Sequence, residues 1–583
     1  MKLLEAIKKI LSSNTGVIWL LSLAGGLLYL NCLPNEMFWD DNDFILHNIY
    51  IQDWQYWTKF FTDNIISGAH LISNYWRPML QFVFAIEWHL WGNWVYGWHA
   101  VSILFHTADG VLIFLIIKKL RQEDHWLAFL TSAMFIIHPA QTEAVVYPNA
   151  MGDSLATFFI LLGIYFYTRS AGKMLNRHYF LALACYPLAI LSKETGILLV
   201  AFLAILDFFM LHEPRWNSVG KIFKRLSPFM AIAIGYIILR ATVLNFSNSF
   251  NFYNESNAFT SHTGTRILTF FKVLSLHAGF LFIPYDLRVE RALELPKSIL
   301  ELDVLWGIAL LTGLITAAVK YWKKTPLITF GIAWFLIALT PTSNIFVIIN
   351  GMVYEHWLYT AMIGLWLVVF WLGIRLAGNK TLRPWLVFLT AVVFIGFSVR
   401  TMWRNTDWRT AIGFYEKLAP TCPKSYKVIN NLGMEYAEKG LADKAEIAYK
   451  KAIALDPKNA VAYHNLANIY AGRKNEELAI QYFEKAISLQ ENFIFSYRAL
   501  AQLYVNKKEF TKARVLLEKY FNLSDDKDFT INALIQLALL EKDYDAARKY
   551  IGVALQLSPG NPGLMALLRK INNNETQSLL PNE

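Results

Sequence analysis

Apolar stretches close to the ~20 residues needed to cross a hydrocarbon core recur from Val17 to Arg400, separated by short charged segments. In lipid every backbone N–H and C=O must be paired within its own segment, so stretches of this length read as membrane-crossing helices. Beyond Arg400 the chain turns charged and Ala-rich and has no such stretch, which splits it near that residue. The overall balance agrees, since 55% of residues are hydrophobic and only 17% are charged, too apolar for an ordinary soluble protein. A formal net charge of +10 does not point to nucleic acid, because Lys and Arg stand in short clusters between the apolar stretches rather than along one face.

Those clusters set the expected topology. The positive-inside rule places Lys2 to Lys9, Lys118 to Arg121, Arg169 to Arg177, Arg215 to Arg225, Lys320 to Lys324 and Arg375 to Arg383 in the cytoplasm. Spans starting near Val17, Trp98, Trp126, Ser154, Tyr179, Thr195, Ser227, Asp303, Leu327, Trp357 and Pro384 then give about eleven crossings, an odd number that leaves the C-terminus outside. Two apolar segments fit less well: Pro78 to Trp91 is interrupted by Glu87 and His89, and Ile267 to Ile283 would break the charge alternation by crossing. Both are read as interfacial or re-entrant helices. No small-residue cleavage pattern follows Leu30, so the first apolar run is expected to be retained as a span. Cys32, Cys185 and Cys422 are too scattered for a disulfide framework or a metal site.

The charged C-terminal part repeats itself. Frames opening at Tyr426, Ala460, Ile494 and Asp528 share the 34-residue period of tetratricopeptide repeats. The first carries Leu432, Gly433, Tyr436, Ala445, Tyr449, Ala452 and Pro457; the second carries Leu466, Ala467, Tyr470, Ala479, Phe483 and Ala486. Small residues stand where the two helices of a repeat cross, and aromatics fill the gaps between neighbours. Later frames decay, while Ala411, Tyr415 and Pro423 extend the register backwards as a half-repeat. Asn431 and Asn465 share one repeat position on the expected concave helix, where amides can pair with a peptide backbone or simply be solvated. The expected organisation is all-α: a polytopic membrane bundle over 1–400, a connector and half-repeat over 401–425, a repeat solenoid over 426–570 and a tail over 571–583.

Immediately after the first span, on the outer side, comes Phe38-Trp39-Asp40-Asp41-Asn42-Asp43, with His47 and Asn48 following. Clustered carboxylates beside aromatics at a membrane surface are costly, and a partly buried carboxylate is suited to act as a general base; a capped interfacial helix with Asp40 as N-cap is the structural alternative.

Together with Tyr75-Trp76-Arg77-Pro78, His138-Pro139-x-x-Thr142-Glu143-Ala144, Ser192-Lys193-Glu194-x-Gly196, Pro341-x-Ser343-Asn344 and Glu355-x-x-Leu358-Tyr359, this order of motifs resembles the transmembrane and tetratricopeptide-repeat-containing O-mannosyltransferases of the glycosyltransferase C superfamily. Trp76, which interrupts a Tyr-Arg-Pro, and His356, in place of an Arg, depart from that pattern. The resemblance implies a catalytic carboxylate in the first outer loop and a polyprenyl- or dolichyl-phosphate sugar as donor. Asp40 is then the expected base that takes a proton from an attacking Ser or Thr hydroxyl, with Asp41 orienting the acceptor or sharing the load as a coupled pair, and attack opposite the lipid phosphate inverts the anomeric centre. The leaving phosphate needs fixed cations, for which Arg77, Lys193, His356 and, further off, Arg240 and Arg266 are candidates. Asn48, His138, Glu143, Glu194 and Glu355 are expected around the cavity and acceptor. A lipid-monophosphate donor requires no metal, and no cofactor is expected beyond that co-substrate.

The expected partners are the bilayer, the lipid-linked sugar and an exported protein held by the repeats. Two other readings stand beside this one: a non-catalytic membrane-anchored repeat scaffold, and the same sugar chemistry on a glycan or lipid acceptor. Short loops and a compact repeat array favour a prokaryotic plasma membrane over an endoplasmic reticulum.

Overall fold

The computed structural model describes residues 11, 13–171, 173–211, 219–246, 258–291, 293–349, 351–523 and 527–573. Lys2, Lys8, Lys9, Arg215, part of the 245–302 loop and most of the tail therefore lie outside the described residues. The chain divides into two units, Met1–Phe414 and Tyr415–Glu583, a boundary inside the segment read as connector. Every regular element among the described residues is helical.

The first unit contains α1 (Asn14–Tyr29), α2 (Pro78–Trp91), α3 (Val95–Leu120), α4 (His125–Ile137), α5 (Met151–Ser170), α6 (Arg177–Ser192), α7 (Leu199–Leu206), α8 (Val219–Ala241), α9 (Thr263–Phe282), α10 (Leu302–Tyr321), α11 (Pro326–Leu339), α12 (Met362–Leu376) and α13 (Arg383–Asn405). Among the described residues eight helical segments are long and apolar enough to cross a bilayer: Asn14–Cys32, Val95–Leu120, Pro148–Ser170, Glu194–Leu211, Val219–Ala241, Thr263–Phe282, Leu302–Tyr321 and Arg383–Trp408. They leave apolar side chains facing outward. On α13 these are Trp385, Val387, Phe388, Leu389, Val392 and Ile395, a surface stable only against lipid. The protein is a multi-pass membrane protein.

Two of the sequence expectations need correction. Four of the eleven expected spans, those starting near Trp126, Tyr179, Leu327 and Trp357, are helices of only 13, 16, 14 and 15 residues. At ~1.5 Å per residue they fall short of a ~30 Å core. In α4 the physical reason is local: Pro139 ends the helix and the chain continues as short turns, Pro139–Gln141 and Thr142–Val146. Conversely, the segment read as interfacial at 267–283 belongs to α9, whose 20 residues have the length and composition of a span. Helix α2, with 14 residues, is too short to cross.

Helices meet through small residues, as expected where lipid offers no hydrophobic driving force between them. A Cβ on Gly307 of α10 would collide with the backbone carbonyl of Phe271 in α9. Gly331 of α11 and Gly364 of α12 sit against each other's carbonyl oxygens, and Gly163 of α5 packs on Cys185 and Leu199.

The second unit contains α14 (Tyr426–Glu438), α15 (Ala442–Leu455), α16 (Ala460–Gly472), α17 (Glu476–Leu489), α18 (Ile494–Asn506), α19 (Phe510–Leu523), α20 (Lys527–Leu540), α21 (Tyr544–Leu557) and α22 (Pro562–Asn572). They form successive antiparallel pairs in the register read from the 34-residue period. Ala445, Ala452, Ala479, Ala486, Ala513 and Ala547 are fully buried at the crossings. Ser425, Asn459 and Asn475 cap their helices by accepting backbone N–H groups.

Candidate functional site

The start of the loop after α1 is tied to the end of the last long helix. Asn31 donates to Met402 O (2.7 Å), Asn35 to Asn405 O (3.1 Å), and Glu36 N–H to Arg409 O (3.1 Å). Trp39 then turns through a left-handed conformation, with φ at 62°, rare for a bulky residue. Its indole stacks on Tyr147 at 5.5 Å, and Tyr147 in turn stacks on Trp408 at 5.1 Å. This aromatic column holds the strained residue and sets the direction of the two aspartates behind it.

Those aspartates differ. Asp41 is fully enclosed; its Oδ1 accepts from Asn149 N–H (2.9 Å) and its Oδ2 from Phe38 N–H (3.3 Å). Asp40 is half-buried, with its backbone N–H donating to Tyr147 Oη (3.1 Å). Among the described residues no cation is paired with its carboxylate. Burial, reinforced by the nearby Asp43 and opposed by a hydrogen bond with the Tyr147 hydroxyl, pushes the Asp40 carboxyl up to about 6. Burial also raises Asp41, against its two backbone donors. Asn48 fixes the loop: its Oδ1 accepts Tyr50 N–H (3.2 Å), and its Nδ2 donates to Phe44 O (3.1 Å) and Ile65 O (2.8 Å).

Tyr75 and Tyr354 lie close enough to Asp40 for its charge to raise both phenols, after burial as the main cause. Behind Tyr75, at 4.4 Å from its ring centroid, stands the Arg77 guanidinium. Arg77 caps α2 and forks onto Glu194, with Nε at 3.1 and 3.2 Å and Nη2 at 2.9 Å from the carboxylate oxygens. Lys193 does not pair with its neighbour Glu194; its Nζ sits 2.7 Å from both oxygens of Asp153. Behind Tyr354, the His356 N–H donates to Glu143 Oε2 (3.1 Å) and its Nδ1 lies 2.9 Å from Glu143 Oε1. Glu355 is fully enclosed, with Arg404 Nη2 at 3.3 and 3.4 Å. Burial pushes its carboxyl up to about 7; Arg404 works against this and Glu143 adds to it.

Arg77–Glu194, Lys193–Asp153 and Arg404–Glu355 are thus ion pairs, and His356 lies against Glu143. Arg240 is placed differently: its guanidinium donates to the backbone oxygens of Leu244 (2.8 Å) and Asn74, fastening the end of α8 to the loop. Arg266 likewise bonds Thr260 O (2.9 Å) and Thr263 Oγ1 (3.0 Å). His138 is enclosed and caps a turn, with Nδ1 accepting Ala140 N–H (3.2 Å) and Nε2 donating to Leu281 O (2.9 Å). Sequence reasoning missed Tyr147, Asp153, Tyr354 and Arg404. The signal for the last was an ionisable residue just beyond a long apolar run, the place where a charge most needs a partner.

In the repeats, Asn431 donates to Tyr415 Oη (3.3 Å) and Asn465 to Asn430 Oδ1 (3.2 Å), so both amides already have intramolecular partners.

The tetratricopeptide repeat pattern matches residues 426–459 and 448–481. The chain is 26% identical over 437 residues to the Protein O-mannosyl-transferase F38B6.6 of Caenorhabditis elegans, covering 73% of this chain and 61% of that protein. It is 24% identical over 528 residues to the Protein O-mannosyl-transferase TMTC2 of Homo sapiens, covering 74% and 62%. Protein O-mannosyl-transferase TMTC4 of Mus musculus is 23% identical over 468 residues, covering 71% and 63%. The chain therefore spans about three fifths of the length of these relatives. Among solved structures, MamA aligns with 25% of this chain and 85% of its own, at 26% identity and a TM-score of 0.23. With membrane-crossing helices, the aspartate loop after α1 and the repeats in one chain, this protein is similar over 73% of its length to a protein O-mannosyl-transferase and carries the tetratricopeptide repeat pattern.

Proposed function

We propose that the protein is a membrane glycosyltransferase that moves one sugar, mannose by likeness to the relatives' names, from a polyprenyl- or dolichyl-phosphate donor to Ser or Thr hydroxyls of exported proteins. The single observation that carries this is Asp40: a half-buried carboxylate in the loop after α1, with no paired cation among the described residues and its carboxyl pushed up by burial to about 6. A hydroxyl is a poor nucleophile at neutral pH, and a base of this strength is mostly ionised there and placed to take its proton. Attack from the face opposite the phosphate inverts the anomeric carbon. Arg77 uses Nε and Nη2 on Glu194, which leaves Nη1 for a phosphate oxygen, and His356 flanks the opposite side. Asp41, Asn48 and His138 serve the shape of the loop, and Asp41 takes no proton itself. Glu143, Glu194 and Glu355 hold the cations in place.

The repeats bind the polypeptide acceptor on the side where the chain leaves α13, outside the cytoplasm, in a prokaryotic plasma membrane. No metal and no nucleic acid enters the reaction. The test is reconstitution of the full chain in liposomes with a lipid-phosphate mannose and a Ser/Thr peptide. Wild type transfers the sugar, and Asp40→Asn lowers the rate by ~10²- to 10⁴-fold with unchanged insertion. Near wild-type transfer by Asp40→Asn overturns the assignment of the base.

A further inference from the structure

Inside the membrane part, α3 carries Asp109 and His106 on one face, and both meet Tyr359. Tyr359 Oη lies 2.8 Å from Asp109 Oδ2 and 2.9 Å from His106 Nδ1. His106 Nε2 lies 3.2 Å from Ile136 O at the end of α4, a carbonyl without a partner inside its own helix that also accepts from Tyr29 Oη (3.4 Å). All three side chains are at most 1% exposed, and Asp109 forms no ion pair among the described residues.

Donors and acceptors can be counted along this chain of contacts. A carbonyl only accepts, so His106 Nε2 carries a hydrogen. Two hydrogen bonds then join Nδ1, Oη and Oδ2, and they need two hydrogens. The phenol supplies one. The second is either on Asp109, which then donates to Oη while the phenol donates to Nδ1, or on His106 Nδ1, which donates to Oη while the phenol donates to Asp109. The two arrangements differ by a concerted shift of two protons, hold the same atoms and have the same zero net charge. In an enclosed site without a cation, the arrangement without charge separation is the cheaper one.

We propose that Asp109, Tyr359 and His106 share one buried proton, held as a carboxylic acid on Asp109, and that this neutral relay positions the turn bearing Glu355 and His356. The second half rests on the proposed active site. Tyr359 directly follows that turn, Glu355–Leu358. The same stretch is pinned again by Gln141 Nε2 to Tyr359 O (3.5 Å), Trp334 Nε1 to Thr360 O (2.8 Å) and the Thr157–Thr360 hydroxyl pair (2.6 Å). Asp109 and His106 touch no reacting atom. They act through Tyr359, from α3 to the turn, and so hold His356 against Glu143.

The test uses the full chain in lipid nanodiscs. Infrared difference spectra of wild type against Asp109→Asn at neutral pH are expected to show loss of a carboxylic-acid C=O band; loss of a carboxylate band instead overturns the neutral arrangement. In the transfer assay Asp109→Asn, whose amide can donate to Tyr359 as the acid does, is expected to keep kcat near wild type. Tyr359→Phe, nearly isosteric but unable to bridge, is expected to lower kcat by ~10- to 100-fold, with less change in donor KM, as for a small misplacement of reacting groups. Unchanged kcat in Tyr359→Phe overturns the positioning role. A wild type that transfers no sugar defeats the proposed function, while the infrared result still decides where the proton lies.

Discussion

Both oxygens of Asp41 accept backbone N–H groups, whereas among the described residues no cation pairs with the carboxylate of Asp40 beside it. The two substitutions should therefore separate. Asp41→Ala leaves two buried donors without a partner, for which a loss of about 1–3 kcal/mol in stability is expected, read as a lower unfolding temperature in detergent. Asp40→Asn should leave that temperature near wild type and remove transfer. The pH dependence follows from the same residue. A base must be ionised to take a proton, and burial first, then Asp43, holds Asp40 at about 6. Transfer should thus be level above pH 6 and fall by about tenfold per pH unit below it. A rate profile flat down to pH 5 would argue that another group is the base. The Trp-Asp-Asp motif was legible in the sequence, but the division of labour within it was not, because it depends on Tyr147 and Asn149, more than a hundred positions along the chain.

Among the elements, α9 and α10 approach until Gly307 meets the carbonyl of Phe271. Backbone cannot retreat as a flexible side chain does, so Gly307→Leu should part these helices and cut the yield of folded protein recovered from membranes, while the same change at Gly313, which has open space, should be tolerated. Equal recovery of both variants would count against this packing. Hydropathy located most of the long spans, but it set α9 aside as interfacial and did not show that α4, α11 and α12 break off early and continue as turns. Averaging over a window blurs the end of a helix, and the polar groups that permit such breaks are paired by distant neighbours. His138, read as part of the cavity, is one of these: it caps the turn after α4 and reaches Leu281 at the end of α9.

For the whole molecule, the proposed acceptor role needs the repeats on the outer side of the membrane. Cys32, Cys185 and Cys422 are all buried, so introduced cysteines report cleanly. With Lys458→Cys in the repeats and Lys323→Cys in the loop after α10, both exposed positions, a membrane-impermeant maleimide added outside should label the first and spare the second. The opposite pattern would separate the repeats from the site and remove the acceptor role. Removing residues 415–583, the second unit, should raise the acceptor KM more than it lowers donor turnover; an equal loss of both would assign the repeats to folding.

Periodicity and composition were enough to determine that this chain folds into helices, crosses a membrane many times and carries repeats after the membrane part, because these properties are local: each helix pairs its own backbone, and each repeat packs mainly on its neighbours. Which charges are free was decided by the tertiary structure alone. Arg77, Lys193, Arg240 and His356 all looked available in the sequence, and each is held by Glu194, Asp153, backbone carbonyls or Glu143 from a distant segment. A charge buried near lipid must find a partner wherever the fold brings one, and that partner is set by contact in space rather than by spacing along the chain.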